Sequence, residues 1–390
     1  MKVLLIHNFY QQYGGEDAAA LAEKELLEQH GEQVTSYTRR NDEIKRYIFL
    51  EKLTFPSNTI YSPRTTKELT EIVEKNGPDA AYIHNVFPLI SPSVYHTLHS
   101  LKVPSLQAVH DFRFFCANSW FFTNGHLCEL CKAGNYLNAV RYRCYRDSYT
   151  LSALYSASIG LNRLAGMLRK IDAFICPTEF VRLKFLEAGV PEHKLFIKPN
   201  FIDAARVTPC PGGGDYVVYL GRLSSEKGVW TLVRAFEALK APLLKILGTG
   251  PLEATLKGYV RERGITNIEF VGFKSGEEKW ELLRNSLFLL VPSECYETFG
   301  IAVLEAYAAG KPVVASDIGS LPYVVRNGKS GTLFRSGSVA DRTEKVRYLI
   351  ERPAVIEAMG RYGRQLVETE YGPDRAYTTL MRILGKVARQ

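Results

Sequence analysis

The chain has no run of about 18 apolar residues, so nothing in it reads as a membrane-spanning helix. It shows no secretory signal either. Lys2 is followed only by Val3-Leu4-Leu5-Ile6 before polar residues return, which is too brief for a signal's apolar region and suits a first buried parallel strand. Short internal repeats are absent, so a repeat architecture is not expected. Cysteine is sparse, seven in 390 residues, and the cytoplasmic location expected from the missing signal disfavours disulfides. What remains, with 46% hydrophobic content, fits two soluble domains.

The apolar runs divide into two sets. Strand-like runs at 3–7, 80–84, 105–109 and 173–176, separated by helical patterns such as 18–30, predict a doubly wound α/β domain over 1–203. Thr208-Pro209-Cys210-Pro211-Gly212-Gly213-Gly214 reads as a hinge, and runs at 216–220, 243–247, 268–271, 287–291 and 312–315 predict a second such domain over 204–370.

The most informative stretch is 287–305. An apolar run breaks at Pro292, passes the loop Ser293-Glu294-Cys295-Tyr296-Glu297-Thr298, and restarts with helical spacing through Phe299-Gly300-Ile301 to Glu305. Unpaired N–H groups at a helix start favour an anion such as a pyrophosphate, and adjacent carboxylates suit sugar hydroxyls, which donate hydrogen bonds. Positive charge for such a site comes from 216–228, a strand ending at Gly221 and followed by Arg222, Lys227 and Gly228. That is the strand edge where open α/β sheets bind ligands. A cation at a helix start is disfavoured by the macrodipole, which argues for a ligand there.

In this order, Gly14-Gly15, His110-Asp111, Gly221-Arg222 with Lys227-Gly228, Gly248-Thr249-Gly250-Pro251, and Glu297 with Glu305 resemble the hallmarks of family 4 glycosyltransferases. The likeness runs along the whole chain. It implies the GT-B fold, with two Rossmann-like doubly wound domains facing a central cleft and residues 371–390 as a helix crossing back to the first domain. It also implies a retaining, metal-independent transferase that needs no cofactor for catalysis. By that resemblance Glu305 holds the donor ribose, Glu297 the sugar hydroxyls, Arg222 and Lys227 the diphosphate, and His110 the reacting sugar edge. Gly14, Gly15, Gly248, Gly250, Thr298, Phe299, Gly300 and Ile301 complete the donor contacts. UDP is preferred among donor nucleotides on family frequency. One departure stands out: Gly319-Ser320-Leu321-Pro322-Tyr323 replaces the family's glycine pair followed by Pro-Glu, which bears on donor-loop packing.

The segment of about 112–150 is an insertion. Cys116, Cys128, Cys131 and Cys144 form C-x11-C-x2-C-x12-C, and the close pair has the spacing that lets two thiolates share one tetrahedral metal. Structural zinc is the favoured reading, with an iron–sulfur cluster or unligated thiols as alternatives. From 131 to 170 the chain carries Lys132, Arg141, Arg143, Arg146, Arg163, Arg169 and Lys170 against one acid, Asp147. Interleaved aromatics such as Trp120, Tyr136, Tyr142 and Tyr155 make the segment a candidate contact with the anionic inner face of a membrane and with a lipid-linked acceptor. The bland alternative is a helix that covers the sheet. The full expectation is transfer from a nucleoside-diphosphate sugar to a hydroxyl of a glycan or lipid-linked acceptor, with no nucleic-acid partner. The competitors are a GT-B nucleotide-sugar 2-epimerase and a zinc-dependent nucleic-acid-binding protein.

Overall fold

The computed structural model describes residues 1–11 and 14–389. The chain forms two compact units, one of Met1–Thr123, Cys128–Lys198 and Tyr377–Gln390, the other of Asn124–Leu127 and Pro199–Ala376.

In the first unit, strands β1 (Lys2–Phe9), β2 (Gln33–Arg40), β3 (Ala80–Ile83), β4 (Ser105–Ala108), β7 (Ala173–Cys176) and β8 (Leu195–Ile197) form one sheet in the order β2-β1-β3-β4-β7-β8. All its pairings are parallel. Between β4 and β7 the inserted strands β5 (Phe122–Thr123) and β6 (His126–Leu127) make a two-stranded ribbon. β3, β4 and β7 are buried throughout, as expected of parallel strands covered on both faces. Leu380, Ile383, Leu384 and Val387 of the last helix, Pro373–Val387, join Val3, Leu27, Tyr82 and Leu106 in this unit's core.

The second unit repeats the plan with β9 (Tyr216–Leu220), β10 (Leu243–Leu247), β11 (Ile268–Gly272), β12 (Ser286–Val291), β13 (Val313–Ser316) and β14 (Gly331–Phe334), in the order β11-β10-β9-β12-β13-β14. Alternation along the strands sends Val218, Leu289, Val291, Val313 and Ala315 to one core and Val217, Tyr219, Phe288, Leu290 and Val314 to the other. Two apolar cores on one sheet require helices on both faces. Strand order reverses between β9 and β12, and doubly wound sheets bind ligands just beyond the carboxyl ends of such strands. The segment read as a hinge packs within this unit: Cys210 N donates to Ala309 O at 2.9 Å, and buried Lys311 donates to Gly212 O at 2.6 Å.

Candidate donor site and histidine cluster

The turn after β9 and the loop after β12 are locked together by backbone contact. Gly228 has φ +64°, and a Cβ there would lie 2.0 Å from Pro292 O. Only glycine allows that approach. Glu294 N and Cys295 N both donate to Glu226 O, at 2.9 and 3.2 Å. The lock sets Lys227 against Glu297, with Nζ donating to Oε1 at 2.6 Å, and Ser293 Oγ donates to the same oxygen at 2.5 Å. Burial opposes the Lys227 charge, but the Glu297 carboxylate outweighs it and the ammonium's pKa rises. Burial likewise opposes the Glu297 charge, and Lys227 followed by Ser293 holds it below the usual carboxylate range. This is a charged pair by mutual support.

Glu305 sits in the helix Ile301–Ala308, which starts from Gly300 in the left-handed region at φ 87°. Lys279 Nζ donates to its Oε1 at 2.6 Å while lying 4.4 Å from the Trp280 ring centroid. Lys279 was not anticipated from the sequence, because it lies on the separate helix Gly276–Arg284. Arg222 is exposed in the turn after β9, and Tyr219 Oη donates to its carbonyl at 2.7 Å. Thr298 and Ile301 are half-buried and Phe299 is buried. Gly248 and Gly250 have a packing reason: a Cβ on them would lie 1.9 Å from Gly221 O and 2.4 Å from Leu223 O. The departing Gly319-Ser320 turn braces the site from below. A Cβ on Gly319 would lie 2.8 Å from Glu297 N, and Ser320 N donates to Glu297 O at 2.9 Å.

In the first unit, Gly14 caps the helix Gly15–Gln29. The anion at that helix start is the chain's own: Asp17 accepts from Gly14 N at 3.2 Å and lies 2.8 Å from His7 Nε2. His110 follows β4, and its Nε2 lies 2.9 Å from Nδ1 of His84, which follows the adjacent β3. A cavity of about 20 Å³ is lined by both histidines with Glu16, Asp111 and Arg113. Asp111 and Arg113 pair at 3.0 Å, and Tyr10 Oη donates to Glu16 at 2.7 Å. Burial, reinforced by Asp111, raises the Glu16 carboxyl to about 8 against the pull of Arg113. His84, Glu16 and Arg113 went unread because each is a single polar residue outside any motif, and His84 and Arg113 meet His110 and Tyr10 only across the fold.

The four inserted cysteines carry free thiols. Cys116 Sγ donates to Asn118 Oδ1 at 3.0 Å and Cys144 Sγ to Thr123 Oγ1 at 3.7 Å. Burial pushes Cys116 up to about 12 and Cys131 up to about 11. Among the described residues no group of three or more His, Cys, Asp or Glu is placed to hold a metal ion. Cys116, Cys128, Cys131 and Cys144, the residues expected to hold zinc, nonetheless lie near one another, with Cys131 and Cys144 acting on Cys116 and Cys128 acting on Cys131 and Cys144. Aromatic packing orders the segment: Phe112 on Phe121 with centroids at 4.8 Å, Phe114 on Phe174 at 5.5 Å and Phe115 on Phe185 at 4.9 Å.

Residues 14–206 match the model of Glycosyltransferase Family 4, and residues 202–366 that of Glycosyl transferases group 1. D-rhamnosyltransferase WbpZ of Pseudomonas aeruginosa is 32% identical over 151 residues, 38% of this chain and 39% of that protein. The chain thus spans about two fifths of that relative's length. The GDP-mannose-dependent alpha-(1-6)-phosphatidylinositol monomannoside mannosyltransferase of Mycobacterium tuberculosis is 29% identical, covering 70% of this chain and 75% of that protein. The crystal structure of Anabaena HepE in complex with UDP and glucose superposes with a TM-score of 0.70 at 17% identity, covering 99% of this chain and 100% of that one, a likeness of fold. The epimerase alternative finds no support in these matches. With the two family models together reaching from residue 14 to residue 366, the chain belongs to glycosyltransferase family 4 and carries its GT-B fold.

Proposed function

We propose that the chain transfers a sugar, with retention at the anomeric carbon, from a nucleoside-diphosphate sugar to a hydroxyl of a glycan or lipid-linked acceptor. The observation that carries this reading is the Lys227–Glu297 pair at the β9–β12 switch point, with Arg222 in the same turn after β9 and the Ile301–Ala308 helix following the loop that holds Glu297. Separating a negative diphosphate from a cationic sugar is the hard step. Preorganised positive charge from Arg222 and Lys227, with the N–H groups at Gly300 and Ile301, lowers its barrier. Glu297 takes sugar hydroxyls, Glu305 the ribose, and His110 the sugar edge. UDP is the preferred nucleotide, in keeping with the UDP-bound fold neighbour. In a thermal-shift screen of UDP, GDP and ADP with their sugars, UDP should raise the melting temperature most, since ligand binding to the folded state stabilises it by mass action. A flat response to every nucleotide would remove the donor reading.

The reading places the protein at the cytoplasmic face of an anionic membrane, through the basic segment at 131–170 together with the helix Phe49–Ile60, which is hydrogen-bonded to it through Ser158 and Asn162. Of that segment's cations Arg141, Arg143, Arg146 and Arg169 are exposed, while the other three are held internally. Lys132 pairs with Glu129 and Glu187, Arg163 donates to Tyr136 Oη, and Lys170 lies 2.7 Å from His96. Tyr155 and Ile159 of its helix Tyr149–Leu164 are buried. By contrast Ile48, Phe49, Leu50 and Leu53, at the start of the helix Phe49–Ile60, are 66%, 82%, 64% and 67% exposed. Exposed Lys45, Arg46 and Lys52 surround them. Clustered apolar side chains ringed by cations suit an anionic leaflet. No helix among the described residues is long and apolar enough to cross a membrane. The protein should sediment with phosphatidylglycerol vesicles and not with phosphatidylcholine ones, and Phe49→Asp with Leu53→Asp should release it. Retention by the double variant would exclude this surface.

A further inference from the structure

Glu305 is the one charged residue of the helix Ile301–Ala308, and Val303, Leu304, Ala306, Tyr307 and Ala308 around it are fully buried. A carboxylate held largely out of solvent on so apolar a helix needs a partner. It takes one from another element: Lys279 Nζ donates to its Oε1 at 2.6 Å, and the two side chains are 19% and 18% exposed. The helix Gly276–Arg284 that carries Lys279 has acids of its own, yet none is spaced to hold it. Residues three and four apart face one another on a helix, and for Lys279 these are Ser275, Gly276, Leu282 and Leu283. Glu277 pairs with Arg284 and Glu278 with Lys274.

We propose that Lys279 is a positioning residue for the donor ribose: it ties one oxygen of Glu305 and leaves the other, Oε2, to accept from a ribose hydroxyl, so that the pair favours a ribonucleotide over one without those hydroxyls. Among the described residues Oε2 accepts no hydrogen bond, so the carboxylate is half committed to the protein and half open to a ligand. An untethered carboxylate must be ordered when its ligand arrives, and that lost freedom weakens binding. One tied beforehand through Oε1 has already given the freedom up.

Lys279 is itself held in place. Its ammonium lies 4.4 Å from the Trp280 ring centroid, and Trp280 packs against the apolar core that also contains Val303, Leu304 and Ala306. Cation and carboxylate are thus anchored to the same core from two different helices. A solvated lysine sampling many rotamers would orient nothing, which is why exposed ion pairs contribute little.

This role rests on the reading of Glu305 as the ribose contact, and the test separates the two. UDP and 2′,3′-dideoxy-UDP, which lacks both ribose hydroxyls, are titrated by calorimetry into the wild-type protein, Lys279→Met, Lys279→Arg and Glu305→Ala. The wild type should prefer UDP by about tenfold or more, the size of one charge-assisted hydrogen bond. Lys279→Met should lower UDP affinity about fivefold and leave the dideoxy affinity nearly unchanged, so the preference shrinks by the same factor. Lys279→Arg, which can donate to the same oxygen, should keep most of it. In Glu305→Ala the preference should be gone, and adding Lys279→Met should reduce it no further, as for two residues that act through one contact. A general loosening of the fold would weaken both nucleotides alike and leave their ratio unchanged. A preference that stays the same or grows in Lys279→Met would overturn the proposal while the ribose assignment stands. Equal affinities of the wild-type protein for the two nucleotides would overturn the proposal together with that assignment.

Discussion

Arg222→Ala and Lys227→Ala should each lower turnover by roughly a hundredfold or more, the size associated with losing one preorganised electrostatic contact to developing charge. The two variants differ in how cleanly they report it. Arg222 is exposed, so its truncation leaves the fold intact and the loss falls on the diphosphate. Lys227 is tied to Glu297 at 2.6 Å, and its side chain is only 20% exposed. Its removal strands a mostly buried carboxylate, which costs stability as well as activity. A melting curve therefore accompanies the kinetics, and a drop in melting temperature is expected for Lys227→Ala alone. Near-wild-type turnover in both folded variants would end the assignment of these cations to the leaving group.

Most parts of the fold legible in the sequence share one physical property. The central strands β1, β3, β7, β9, β12 and β13 are covered on both faces, so they appear as apolar runs, while β4 and β10 carry Gln107 and Lys245 within theirs and β11 is a legible edge. The strands that escaped notice, β2, β8 and β14 with the ribbon strands β5 and β6, are all sheet edges. β2 reads Gln33-Val34-Thr35-Ser36-Tyr37-Thr38-Arg39-Arg40, with exposed and buried positions mixed, and no apolar run announces it. β8 and β14 are three and four residues long, below the length at which a pattern forms.

The site divides along a similar line. Motifs local in sequence were readable: the β9 turn, the 293–305 loop and helix, and the glycines between them. The reason for each glycine was not. Gly228, Gly248 and Gly250 are demanded by backbones tens of residues away, and a pattern of glycines cannot say what approaches them. Partners across elements were also invisible. Lys279 on Glu305, His84 on His110 and Arg113 on Tyr10 arise from topology that places separate segments side by side. The cysteine spacing marked a real neighbourhood: Cys116, Cys128, Cys131 and Cys144 lie close enough to act on one another electrostatically, although three of them are separated by eleven or more residues and only the fold brings them together.

The two acids should separate nucleotide binding from sugar transfer, and the structure sharpens how. Glu305→Ala removes the group assigned to the ribose and leaves Lys279 without its carboxylate. UDP affinity should fall about tenfold or more, a loss typical of one charge-assisted hydrogen bond. Glu297→Ala acts in the opposite sense on the nucleotide. Glu297 holds Lys227 through Oε1, so deleting it frees an ammonium for the diphosphate, and UDP should bind as well as before or more tightly. Transfer should nevertheless collapse by roughly a hundredfold, because the sugar hydroxyls lose their acceptor and Lys227 loses the partner that fixes its position. Calorimetry with UDP alone, followed by turnover with the donor sugar, reads both effects on the same protein. Glu297→Gln adds a control, since the neutral amide keeps the volume while weakening the hold on Lys227. It should resemble Glu297→Ala in UDP affinity and fall between Ala and wild type in transfer. Equal losses of UDP affinity in Glu297→Ala and Glu305→Ala would mean that both acids serve the nucleotide, and the sugar would then need a different acceptor group.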